Sequence, residues 1–205
     1  MNSWDQDCYE YGENTCRDGW YKTPQGSHLV MWEVFKTIEE ANSQNLFSER
    51  NSLSKYGFLF PEQNSYTPGN YDGSYEERVE RNLSQDGLAL GMVKDKSQLD
   101  NINYLGLTCA GCHTSSITYG SNNYFVEGGQ ANADVARFLN ELADALEANR
   151  NNSSKYNRWR SRFKSYVRSN RDYGAKTIST WFINQYIDKA IDYVRGFADR
   201  NHQQV

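Results

Sequence analysis

Residues 106–114 read Gly106-Leu107-Thr108-Cys109-Ala110-Gly111-Cys112-His113-Thr114, and Cys109 to His113 form the pattern C-x-x-C-H. This is the attachment signature of a c-type haem, and the chemistry explains the spacing. Two thiols about one helical turn apart can each add across one of the two vinyl groups of a porphyrin. The next residue then lies under the ring, where His113 can give an imidazole nitrogen to the iron. Cys109 and Cys112 are the expected covalent anchors of one haem c, and His113 is its expected proximal ligand. Two other uses of paired cysteines compete. A redox-active C-x-x-C follows a strand in a βαβ pattern, which the flanking sequence lacks. A zinc site needs a second Cys/His pair, and none stands at suitable spacing. The remaining cysteines, Cys8 and Cys16, lie far upstream.

The sixth position on the iron decides what such a haem can do. Small cytochromes c take a Met from well downstream of the motif, but Met1, Met31 and Met92 all precede it. The one downstream histidine, His202, stands at a terminus where fraying is expected. The distal candidates are Met92, Met31 and His28, with an open or water-filled position as the fourth possibility. Each Met has core filling as its plain alternative, and His28 has a place on the surface of a helix's first turn. Two protein ligands leave outer-sphere electron transfer, whereas a vacant position admits peroxide or dioxygen.

Outward from the motif, a hairpin is expected around Ile117–Val126. A helix is expected at 132–149, where Val135, Phe138, Leu139, Leu142 and Leu146 form one stripe. Two more are expected at 154–169 and 176–199. Upstream, Ser27 reads as the cap of a helix running to Ala41, with Trp32, Phe35 and Ile38 at helical spacing. Residues 42–108 read as long loops with apolar islands at Phe58-Leu59-Phe60 and Leu88 to Val93. The fold class is therefore mainly α with long loops, a cytochrome c-like haem domain wrapped around one covalent haem. An irregular arm spans 1–26, a single mono-haem domain spans 27–205, and about 150–205 form its helical C-terminal extension.

Composition narrows the class. The chain has 205 residues, a net charge of -4 and 14% aromatics. That is too aromatic for a disordered tail and too acidic for a general nucleic-acid binder. No apolar run is long enough for a transmembrane segment. Charge is uneven: residues 1–149 carry 10 Lys+Arg against 22 Asp+Glu, while residues 150–205 carry 12 against 4. Such a split reads first as intramolecular pairing and second as a docking face for an acidic partner. Residues 1–5 show neither the basic nor the apolar part of a leader peptide. Covalent haem c is attached outside the bacterial cytoplasm, so the expectation is a mature, exported chain, periplasmic or extracellular. In that compartment Cys8 and Cys16 are expected to form a disulfide, with two free thiols as the alternative.

The surroundings of the motif resemble a known family. The run 106–114 is followed by Ile117-Thr118-Tyr119 and by Val126-Glu127-Gly128-Gly129-Gln130-Ala131-Asn132-Ala133-Asp134. It is preceded by Tyr21-Lys22-Thr23-Pro24-Gln25-Gly26-Ser27, by Tyr56-Gly57-Phe58 and by Gly87-Leu88-Ala89-Leu90-Gly91-Met92-Val93-Lys94-Asp95. Over about residues 18–165 these resemble the first haem region of the di-haem cytochrome c peroxidase/rubber-oxygenase-like family. Members of that family are longer and carry a second C-x-x-C-H; this chain has one. Where the family pattern implies Pro near 31 and Phe near 92, this chain has Met31 and Met92. The resemblance thus implies a catalytic haem closed by a sulfur ligand to make a carrier. The expected function is electron transfer between redox partner proteins. The alternative is a haem peroxidase- or dioxygenase-like enzyme, or a haem subunit of one, with an open distal site. A homo-oligomer, or docking onto another cytochrome, would cover a haem edge left bare.

Overall fold

The structure is a computed structural model and describes residues 20–60, 65–66, 87–120, 122–170 and 180–202. In chain order its elements are β1 (Val30–Met31), α1 (Trp32–Phe35), α2 (Arg50–Ser54), β2 (Ser65–Tyr66), β3 (Met92–Lys96) and β4 (Asn103–Leu107). There follow α3 (Cys109–His113), β5 (Thr114–Tyr119), β6 (Asn122–Glu127), α4 (Val135–Asn151), α5 (Ser153–Ser169) and α6 (Thr180–His202). Two three-stranded sheets form, in the orders β1-β4-β3 and β2-β6-β5. The fold is therefore mixed α and β rather than mainly α. Among the described residues, no helix is long and apolar enough to cross a membrane.

The departure from a mainly α fold begins at residues 27–41. Instead of one helix from Ser27, the chain forms β1, a single turn at α1, and a bend closed by the Glu39↔Leu46 bridge. Ser27 does not cap a helix: its Oγ accepts from the Leu107 N–H at 2.9 Å. The helical reading failed because Leu29 to Trp32, Val34, Phe35 and Ile38 are all buried at 1% exposure or less. A segment buried on every side fits any period, so its spacing carries no information. Thr37 marks the stop, its hydroxyl donating back to the Glu33 carbonyl at 2.6 Å. Residues 87–107 likewise contain β3 and β4 rather than loop alone.

The chain forms two compact units, each drawn from three segments. The first holds residues 1–27, 57–95 and 106–133; the second holds 28–56, 96–105 and 134–205. In the second, α4 and α6 pack along their lengths and α5 packs on α4 and on α1. Asp134 starts α4 by accepting the Arg137 N–H at 2.9 Å. The α4 stripe of Phe138, Leu139, Leu142 and Leu146 is fully buried, as are Ile187 and Val194 of α6. Each such side chain contributes about 1.5–3 kcal/mol by leaving water. Asn152 caps α5 by accepting from the Ser154 and Lys155 N–H groups. Phe35, Phe47, Tyr56 and Phe138 form an aromatic cluster with ring centroids 5.6 to 6.4 Å apart.

Three of the six basic side chains of α5 reach one carboxylate. Glu39 is fully buried and accepts from Arg158 at 2.8 and 2.7 Å and from Arg162 at 3.0 Å, with Lys155 at 3.4 Å. Arg150 meets Asp188 at 3.0 Å, and Arg195 meets Asp144 at 2.9 Å and Glu147 at 2.7 Å. Intramolecular pairing thus engages Arg150, Lys155, Arg158, Arg162 and Arg195 of the basic tail.

Candidate functional site

The C-x-x-C-H run lies in the first unit, between β4 and β5. It folds as one helical turn, α3, entered through Thr108 in extended conformation and left directly into a strand. A single turn divides its residues between two sides. Ala110 is 2% exposed and Gly111 is buried, while Cys109 is half-buried and Cys112 and His113 are exposed. Cys112 and His113 are thus open to solvent and Cys109 partly so, while the two residues between the cysteines are buried.

The inner wall is tight and apolar. Ala110 packs with Tyr21, Leu90 and Phe125, flanked by Trp20 and Leu59. Two polar tips tie this aromatic wall to the hairpin of β5 and β6. The Trp20 indole donates to Thr114 Oγ1 at 3.2 Å, and the Tyr21 hydroxyl donates to Glu127 Oε1 at 2.6 Å. Gly91 presses on the turn backbone to backbone, its carbonyl accepting the Thr108 N–H at 2.9 Å. It has φ +82, and a Cβ there would stand 2.1 Å from the Gly111 nitrogen. The space behind the turn, bordered by Phe58, Leu59, Leu90 and Ala110 among others, is closed even to a water molecule, so it holds no room for a cofactor.

Cys109 and Cys112 are unlinked. Although Cys112 is exposed as a residue, partial burial pushes its thiol pKa up, and the neighbouring Cys109 adds to this. Redox-active C-x-x-C pairs work through a thiol whose pKa is lowered. With a strand immediately after a one-turn helix, the local fold also differs from the long helix such a pair occupies. Among the described residues no three His, Cys, Asp or Glu side chains converge on a possible metal ion.

The distal candidates are spread over both units. Met92 belongs to the first, at 1% exposure on β3, one residue beyond Gly91. Met31 belongs to the second, fully buried on β1, its backbone N–H donating to the Tyr186 hydroxyl at 2.5 Å. His28 is also in the second, half-buried and stacked on Tyr104 with ring centroids 4.8 Å apart. Cys8 and Cys16 lie outside the described residues.

Residues that motif reading alone passed over are Gly91, Trp20 and Thr114. They touch the turn only through tertiary contacts, although the unusual run Gly87 to Val93 marked that stretch. No family model, curated protein or solved structure matches this chain.

Proposed function

We propose that this chain is an exported mono-haem c-type cytochrome that carries electrons between protein partners in the periplasm or outside the cell. The observation that carries the reading is the outward presentation of Cys109, Cys112 and His113 from one turn whose inner side is filled. Each thiol would add across a vinyl group, sulfur to one carbon and its hydrogen to the other, with no net oxidation. The raised pKa of the Cys112 thiol suits this, because that group stays protonated until the porphyrin arrives. The His113 ring would hold the iron from the protein side, and the Gly91–Gly111 contact would keep the turn from collapsing inward. When bound, the haem supplies a reversible one-electron couple. The family resemblance over about residues 18–165 points the same way.

Burial of both methionines favours a second reading. Met31 and Met92 lie in the interiors of their units, and a haem held by His113 without either sulfur would supply peroxidase- or oxygenase-type chemistry. Optical and electron paramagnetic resonance spectra of the ferric protein separate the two. A low-spin spectrum unmoved by peroxide supports the carrier; a high-spin spectrum that peroxide changes supports the enzyme. For the carrier, Met92→Ala, Met31→Ala and His28→Ala are compared singly, and the one that converts low spin to high spin identifies the distal ligand. Covalent haem retained by a Cys109→Ala, Cys112→Ala double variant would overturn the attachment itself.

A further inference from the structure

We infer that the outward face of the β5–β6 hairpin is the bed on which the haem rests, with Ile117 and Val126 as positioning residues; this builds on the attachment proposed above. The hairpin register pairs Thr114 with Glu127, Ser115 with Val126, Ser116 with Phe125 and Ile117 with Tyr124. Thr114 and Phe125 are buried at 2% exposure, which makes theirs the inner face. Ser115, Ile117, Tyr124 and Val126 then share the outer face, because side chains alternate along a strand.

His113 stands at the root of the hairpin, its carbonyl accepting the Gly128 N–H at 2.9 Å just beyond the last ladder pair. His113, the last residue of α3, is exposed and enters β5 directly, two residues before Ser115. What surrounds it suits a flat apolar group. Gly128, its hydrogen-bond partner, has no side chain, and Ser115, on the outer face, has a small one. Beyond them Ile117 is 57% exposed, a large aliphatic side chain with no cover, and Val126 beside it is half-buried. The space on the inner side of the turn admits not even a water molecule, so it cannot compete for the porphyrin. Small residues next to the turn, with Gly129 against Ser115 and Val126, and an exposed aliphatic side chain beyond them would form a seat beside His113.

The test uses full-length protein matured in cells that attach haem c. Covalent loading is read first, from the mass increase and the pyridine haemochrome spectrum. A carboxylate seated against the porphyrin stabilises the ferric state, so Ile117→Glu is expected to lower the reduction potential at undiminished loading. Leu99→Glu, at a residue 99% exposed in the other unit, is expected to leave it unchanged. Ile117 lies on the surface, so neither variant disturbs the core. As a second readout, carbene labelling of Ile117 and Val126 is expected to fall several-fold between the unloaded and loaded wild-type chain. Loaded protein whose potential ignores Ile117→Glu and whose labelling is unchanged overturns the bed while leaving the attachment standing. A chain that takes up no haem overturns the attachment, and the bed with it.

Discussion

Gly91 is the residue on which the geometry of the turn depends most directly. Its φ of +82 lies in the region L residues avoid, and its missing Cβ lets the Gly111 backbone approach. Gly120 has a comparable φ of +63 but nothing within 4 Å of where a Cβ would be. The pair separates conformational strain from contact. Gly120→Ala is expected to cost about 1–2 kcal/mol, the left-handed penalty alone. Gly91→Ala adds a backbone clash of about 1–3 kcal/mol, and its melting temperature should fall clearly further by thermal circular dichroism. Equal losses at the two positions would show that the Gly91–Gly111 approach is not held as described. If the chain carries haem as proposed, loading of Gly91→Ala should also drop, because the turn that presents Cys109 and Cys112 is displaced.

Helix α5 owes its placement as much to Glu39 as to its apolar stripe. Trp159 and Phe163 are buried, and Arg158, Arg162 and Lys155 reach the fully buried carboxylate of Glu39. The Glu39 backbone is satisfied as well, its N–H donating to Asn149 Oδ1 at 3.2 Å and its carbonyl accepting from Asn149 Nδ2 at 2.6 Å. The hydrogen bond from Arg158, opposed by burial and aided by Arg162, lowers the Glu39 pKa from 4.5 to about 2. Because the folded value lies below the unfolded one, the stabilisation is fully present above pH 4.5 and is lost as pH falls towards about 2. Glu39→Gln leaves the arginines without their counter-charge and is expected to cost about 3 kcal/mol at pH 7. It should also flatten the pH dependence of urea unfolding between pH 4.5 and 2. A wild-type slope in that window that Glu39→Gln keeps would assign the effect to other carboxylates.

The whole molecule is two units, neither of them a continuous stretch of chain. Residues 134–205 contain three long helices, yet their unit also needs α1, Glu39 and the Phe47–Tyr56 aromatic pair. A fragment of 134–205 is therefore expected to lack a cooperative thermal transition, while the full chain shows one; a sharp transition in the fragment would mean the helices pack without their N-terminal partners. Two things could be read without coordinates. One was the long helices, whose single buried stripes impose a 3.6-residue period. The other was the hairpin after the motif, with its alternating pattern. Segments 27–41 and 87–107 were not legible, because residues buried on all sides carry no period and short strands are defined by partners distant in sequence.

At the site, sequence alone determined which residues have the chemistry: two thiols and an imidazole in the order and spacing that a porphyrin requires. That information is local, since it depends only on residue type and on one turn of backbone. Which side of the turn those groups face was a tertiary decision. It rests on Gly91 meeting Gly111 and on Trp20, Tyr21 and Phe125 filling the inner wall, contacts between segments up to about a hundred residues apart. The burial of Met31 and Met92 and the ion pairs of the basic tail were decided in the same way. Charge and composition set how many such groups there are, but only packing sets which of them meet.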